Sequence, residues 1–271
     1  MRAGRSSPAT LAVTGGAGGF FSGLTGVGGG AVMVPLMTGV LKMRQHTAHG
    51  TSLVVIVFAA LGGAASYSID GSTDWVLVAT LLAGSAAGAY VGAHLVQHLP
   101  ALRLRQLFGI FLLILGARLI LFHDTSAVLS TSGVARSALG ATIGLAGGLS
   151  SGALGVGGGA IFVPGLVILL GTGQHEAQAA SLNVIVVTAL VGAFTHYRHG
   201  TADLRSAAWI VPAAVPAGVA GAMAAGQLDG AVLQRIFAVV LVGVGTQMLV
   251  TATRALRRPP AIHSLAVEAH R

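Results

Sequence analysis

The chain has 271 residues, of which 54% are hydrophobic and only 8% charged, with 41 glycines and a mean hydropathy of +0.83; such values lie outside the range of soluble globular domains and place it in a bilayer. Its formal charge of +8 does not mark a nucleic-acid binder, because the basic residues sit in short stretches between apolar runs, without a basic face or stacking aromatics. The lack of cysteine excludes disulfides, thiolate metal ligands, a thiol relay of sulfur and cysteine catalysis.

From the N-terminus, residues 1–10 carry Arg2 and Arg5 and read as a short cytoplasmic segment. The apolar run that follows has the look of a signal peptide. It continues without a cleavage site into a segment whose counterpart recurs in mid-chain, so it is read as part of the folded protein. That segment, 11–41, has Gly28, Gly29 and Gly30 near its centre. As one helix its 31 residues would measure about 46 Å, too long for a core of roughly 30 Å, and a break at the glycines is expected. Spans at 47–69, 75–98 and 104–122 complete a first repeat over 11–123, and 124–136 is a connecting loop. A second repeat over 137–254 has a bipartite segment at 137–170 and spans at 176–197, 206–226 and 232–253. The polar stretch 255–271 holds Pro259 and Pro260 and reads as a disordered cytoplasmic tail.

The repeats keep one register. Ser22-Gly23, Gly26-Val27-Gly28-Gly29-Gly30-Ala31 and Pro35 return as Ser151-Gly152, Gly155-Val156-Gly157-Gly158-Gly159-Ala160 and Pro164, an offset of 129. The same offset pairs Gln45-His46 with Gln174-His175, Ser52 with Ser181, Gly71 with Gly200, Asp74 with Asp203, Phe108 with Phe237 and Gly116 with Gly245. Chance apolar similarity does not hold register over such a length. The fold class is therefore all-α: a polytopic membrane protein of two halves, each a glycine-broken helical hairpin plus three transmembrane helices. Three crossings per half invert the second repeat. With both termini cytoplasmic, inversion puts 12 of the 15 Lys and Arg residues inside and leaves Arg118, Arg136 and Arg235 elsewhere, against 10 and 5 for a parallel repeat. The positive-inside rule favours inversion.

Broken backbone inside a membrane leaves amides without partners, which is tolerated only where protein or a water-lined cavity satisfies them. Gly28, Gly29 and Gly30, with Gly157, Gly158 and Gly159, allow left-handed backbone and close ligand approach. Helices restarting at Ala31 and Ala160 would each present free N–H groups and a positive dipole end. Two such ends about a pseudo-two-fold axis make an anion site from neutral donors. Ser22, Ser151, Ser52, Ser181, Thr25 and Asn183 supply further donors. Pro35 and Pro164 are expected as kinks or first-turn residues. Scattered glycines such as Gly84, Gly88 and Gly92 read as helix-packing contacts.

Gln45-His46 and Gln174-His175 open the next spans and read as interfacial caps or, functionally, as a gate or proton-responsive pair. His46 and His49 have a metal-ligand spacing, but Gln178 replaces the second histidine at the repeat position, so no metal is expected. Asp74 and Asp203 suit N-caps. Arg118 lies inside a span, where a cation is a functional candidate unless it snorkels to the surface. No Asp or Glu sits deep in a span, which turns the reading from cations to anions.

The pair GLTGVGGGAVMVPLM and GALGVGGGAIFVPGL resembles the duplicated signature of the sulfite exporter TauE/SafE family of membrane permeases. The resemblance implies transport of sulfite, an organosulfonate or a related sulfur oxyanion across the inner membrane, without enzymatic activity or cofactor. Alternating access around the paired breaks is the mechanism expected. A permease or channel for an unrelated small anion is the alternative, and a homodimer is compatible with the sequence.

Overall fold

The computed structural model describes residues 7–69, 73–95, 101–121, 133–154 and 157–257. Among them there are ten helices and no strand: α1 (Pro8–Thr25), α2 (Gly30–Gly39), α3 (Gln45–Ile69), α4 (Trp75–Leu95), α5 (Ala101–Leu121), α6 (Val134–Leu154), α7 (Gly159–Leu170), α8 (Gln174–Arg198), α9 (Leu204–Gly226) and α10 (Gly230–Arg257). Helices α6 to α10 repeat α1 to α5, and α2, α3, α4 and α5 start 129 residues before their counterparts. Gly71, much of the 124–136 connection and most of the C-terminal tail lie outside the described residues, although α10 runs on to Arg257.

The broken segments follow from local chemistry. Ser7 caps α1, its hydroxyl accepting from the Thr10 N–H, and Pro8 takes the first-turn place where no N–H is required. Gly26 ends α1 in left-handed backbone at φ 68°, its N–H donating to the Ser22 carbonyl. Gly28 and Gly29 follow at φ 94° and 69°, and Gly157 and Gly158 match them at 97° and 74°. The chain can thus reverse and restart. Met33 on α2 packs on Gly18 of α1, so the segment returns along its own path. The 10 residues of α2 and 12 of α7 reach only about 15 and 18 Å, short of a core of about 30 Å. Pro35 and Pro164 fall past the first turn, as the sixth residues of α2 and α7. Each removes the helical donor to the carbonyl four residues back, Ala31 or Ala160.

Five helices among the described residues are long and apolar enough to cross a membrane: α3, α4, α8, α9 and α10. Glycines set how the helices pack. Gly15, Gly19 and Gly23 on α1 lie against backbone of Ile210, Ala214 and Gly218 on α9, and their counterparts Gly144, Gly148 and Gly152 on α6 lie against Leu81, Ser85 and Ala89 on α4. Gly84, Gly88 and Gly92 face Ala141, Leu145 and Leu149 in the same α4–α6 seam, the packing role expected of them. Each repeat therefore lays its first helix on the other repeat's fourth.

The central pairs join equivalent helices. Leu53 meets Gly192, Leu182 meets Gly63, and the Tyr67 hydroxyl donates to Gln178 Oε1 at 2.7 Å, so α3 and α8 run antiparallel. Gly109 meets Gly245, and Gly116 meets Ala238 and Val242, so α5 and α10 do too. A two-fold axis relating such pairs lies across the helices rather than along them.

The bundle has two chemically different ends. One gathers the start of α1, the α2–α3 connection, the start of α5 and the α8–α9 connection, tied by Gly50 against Thr201 and by Gln106 Nε2 donating to Thr253 at 3.0 Å. It carries Lys42, Arg44, Arg103, Arg105, Arg198, Arg205 and Arg254. At the opposite end Arg136 bridges Asp74 and Glu176 at 3.4 Å each, and His175 Nε2 contacts the Ala225 carbonyl at 3.0 Å. Arg118 and Arg235 complete its described cations. Asp74 caps α4 by accepting from Val76 and Leu77 N–H, and Asp203 caps α9 by accepting from Ser206 N–H.

Candidate functional site

The two glycine breaks touch. A Cβ on Gly159 would meet the Gly26 carbonyl and Val27 Cα at 2.5 and 2.8 Å, and one on Gly157 would lie 3.4 Å from the Val27 carbonyl. At Gly159 only glycine lets the backbones approach so closely, and at Gly157 the left-handed φ of 97° favours glycine. The Ser181 hydroxyl fastens the contact, donating to the Gly26 carbonyl at 2.7 Å from the other repeat. Its counterpart Ser52 donates instead to the His49 carbonyl of its own helix at 2.9 Å. Thr25 donates to the Phe21 carbonyl at 2.7 Å and accepts from the Val27 N–H at 3.4 Å, which braces the first break.

Beside the break, a cavity of about 500 Å³ runs from Gly30 and Ala31 to the cationic end. Helix α2 starts there at Gly30, after Gly29 and without a side-chain cap, so its first amides and its positive dipole end face the cavity floor. The walls come from Val34, Pro35 and Thr38 of α2, Gln45 and His49 of α3, Arg105 of α5, and Gln247 and Thr251 of α10. With its carboxamide oxygen turned toward the guanidinium, Gln45 accepts from Arg105 Nη1 and Nη2 at 2.9 and 2.6 Å. Arg105 is half-buried and His49, in the same wall, has a buried Nδ1 with no partner. A cation, an imidazole, two amides, two hydroxyls and a helix N-terminus in one apolar-sided recess favour a small anion.

The expected site residues fall into three groups. Gly30, Ala31 and Gln45 line the cavity. Gly28, Gly29, Thr25, Ser22, Ser52, Gly157, Gly158, Gly159, Ala160 and Ser181 are buried in and around the touching breaks, and Ser22 Oγ has no hydrogen-bond partner. The rest sit apart. Ser151 is half-buried, and Asn183 donates to the Ala179 carbonyl of its own helix. His46 is exposed at the cationic end, Gln174 is buried and His175 half-buried at the opposite end, and Arg118 is exposed on the last turn of α5.

Sequence reasoning missed Arg105 and His49 as cavity residues, counting the first as a topology charge and weighing the second only as a metal ligand. The register held a signal for both. Their repeat mates are Gln234 and Gln178, so polar residues occupy both positions in both halves, each the fifth residue of its helix. No group of three or more metal-ligating side chains occurs among the described residues.

Long apolar helices, short glycine-started half-helices and a cavity that ends at the start of one of them, α2, define a polytopic α-helical membrane transporter. The chain belongs to the sulfite exporter TauE/SafE family, whose model matches residues 1–119 and 140–269. It is 26% identical over 263 residues to the probable membrane transporter protein YunE of Bacillus subtilis, covering 88% of this chain and 96% of that one. It is 29% identical to YdhB of the same organism over 68% of this chain and 77% of the relative, and 24% identical to a probable membrane transporter protein of Xylella fastidiosa over 87% and 92%. No solved structure matches it.

Proposed function

We propose that the protein is an inner-membrane permease for a small sulfur-containing oxyanion, sulfite or an organosulfonate, working by alternating access about the paired glycine breaks. The observation that carries this reading is the cavity linking the cationic end to the uncapped start of α2, with Arg105 in its wall. Antiparallel equivalent helices support reading the halves as inverted repeats in a bilayer. The concentration of Lys and Arg at one end supports a cytoplasmic position for that end and for both termini. The cavity then opens inward, the side from which an exporter loads. The sulfur chemistry rests on the family description, and the geometry alone would suit other small oxyanions.

The test uses Ala31→Asp, which sets a carboxylate at the cavity floor. An acid in the first turn suits the helix dipole, so the fold should hold, while the fixed charge repels the substrate. Sulfite flux in proteoliposomes should be lost in Ala31→Asp, kept in Ala31→Ser and reduced about tenfold in Arg105→Gln, equivalent to about 1.4 kcal/mol of lost binding. Undiminished flux in well-folded Ala31→Asp would remove the anion path from this cavity.

A further inference from the structure

The open cavity has a shut counterpart in the other repeat. Ala31, Val34, Pro35, Thr38 and Met43 are half-buried around the cavity and Gln45 is exposed, whereas their mates 129 positions on, Ala160, Val163, Pro164, Val167, Thr172 and Gln174, are all buried. The same surface is thus open in one half and closed in the other. The closed one is not built as inert core. Gln174 is 5% exposed and neither of its amide atoms has a partner; Gln178 is fully buried and its Nε2 has none. Buried amides left unpaired are costly and rare. They point to groups that meet water or a ligand in another arrangement of the same chain.

The chemistry of the counterpart matches as well. In the open cavity α5 supplies Arg105 and α10 supplies Gln247. The register exchanges the two: Arg105 maps to Gln234 on α10, and Gln247 maps back to Arg118 on α5. Each side therefore has one arginine and one glutamine from this helix pair, added to a helix start at Gly30 or Gly159. Gln234 is buried near the start of α10, and Arg118 lies exposed on the last turn of α5 at the same end.

We propose that Thr172, Gln174, Gln178, Gln234 and Arg118 line a latent second vestibule above the start of α7, which opens toward the less cationic end when the first closes and takes the same small anion. The vestibule gives the alternating-access part of that reading its residues, and the nature of the ligand rests on the anion-permease part.

The cysteine-free sequence allows a direct test by single substitution. Thr38→Cys reports the open cavity, Val163→Cys the closed one, and Val55→Cys, in the α3 core at 0% exposure, reports general unfolding. Each variant is placed in uniformly oriented proteoliposomes and treated with a membrane-impermeant maleimide on one face at a time. Thr38→Cys should react only from the cationic face. Val163→Cys should react only from the opposite face, about 10- to 1,000-fold more slowly, as expected of a minor conformer populated at about 0.1–10%, and Val55→Cys not at all. Val163→Cys as inert as Val55→Cys, or reacting from the same face as Thr38→Cys, overturns the proposal. The expected labelling without sulfite or sulfoacetate flux through the unsubstituted protein would leave the vestibule standing and overturn the substrate reading.

Discussion

The hydroxyls around the breaks differ in what they hold. Ser181 and Ser52 are repeat mates and both are fully buried, yet only Ser181 crosses between repeats to reach the Gly26 carbonyl. Removing that donor leaves a buried carbonyl without it, at a cost of about 1–3 kcal/mol. Ser181→Ala should therefore lower the detergent-solubilised melting temperature clearly, and Ser52→Ala, which gives up only a bond within its own helix, should do so less; equal shifts would refute the distinction. The register told that both serines sit at equivalent depth. It could not tell which one reaches across, because the two repeats are not conformationally identical in one state. Arg105 was hidden for another reason: an arginine near a helix start satisfies the charge rule of topology whether or not it also walls a cavity. Gly28, Gly29 and their mates were legible, since three adjacent glycines serve few ends besides left-handed backbone and close approach.

Among the helices, the two seams α1–α9 and α4–α6 share the matched glycines of α1 and α6, Gly15, Gly19 and Gly23 against Gly144, Gly148 and Gly152, and each joins the first helix of one repeat to the other repeat. Gly148 faces the backbone of Ser85, whereas Gly243 has nothing within 4 Å of where a side chain would begin. Overpacking a tight site costs about 1–3 kcal/mol and sometimes more. Gly148→Leu should accordingly cost monodispersity and thermal stability in fluorescence-detected gel filtration, while Gly243→Leu should behave as the parent does; a stable Gly148→Leu would mean the seam is looser than described. The breaks and spans could be read from hydropathy and glycine placement. The seams could not, because helices apolar on all sides announce burial without naming a partner, and the hand-over of each first helix to the other repeat's fourth emerges only from packing. Pro35 and Pro164, the sixth residues of α2 and α7, lie deeper in their helices than a first-turn role requires, and would do so even for helices starting at Ala31 and Ala160.

At the scale of the whole molecule, inverted repetition was expected from the sorting of lysine and arginine between loops. The described residues show that sorting as two unlike ends, and they show equivalent helices running in opposite directions. Which repeat holds the open cavity was not legible, since the register marks matching positions in both halves without saying which set is exposed, and mates such as Arg105 and Gln234 or His49 and Gln178 differ in kind but are polar alike. The depth of the open cavity has an electrical consequence. Solution that reaches Gly30 carries the potential of its own side to the cavity floor, so a membrane voltage drops across the closed half instead of the full thickness. On the proposed permease reading, an anion loading from the cationic face crosses little of the field, and the work of about 2.3 kcal/mol per charge per 100 mV falls on the proposed exchange of vestibules. With potential clamped by a potassium gradient and valinomycin, voltage should change the maximal flux and leave half-saturation at the cationic face nearly constant; a shift confined to half-saturation would place the field in the open cavity instead.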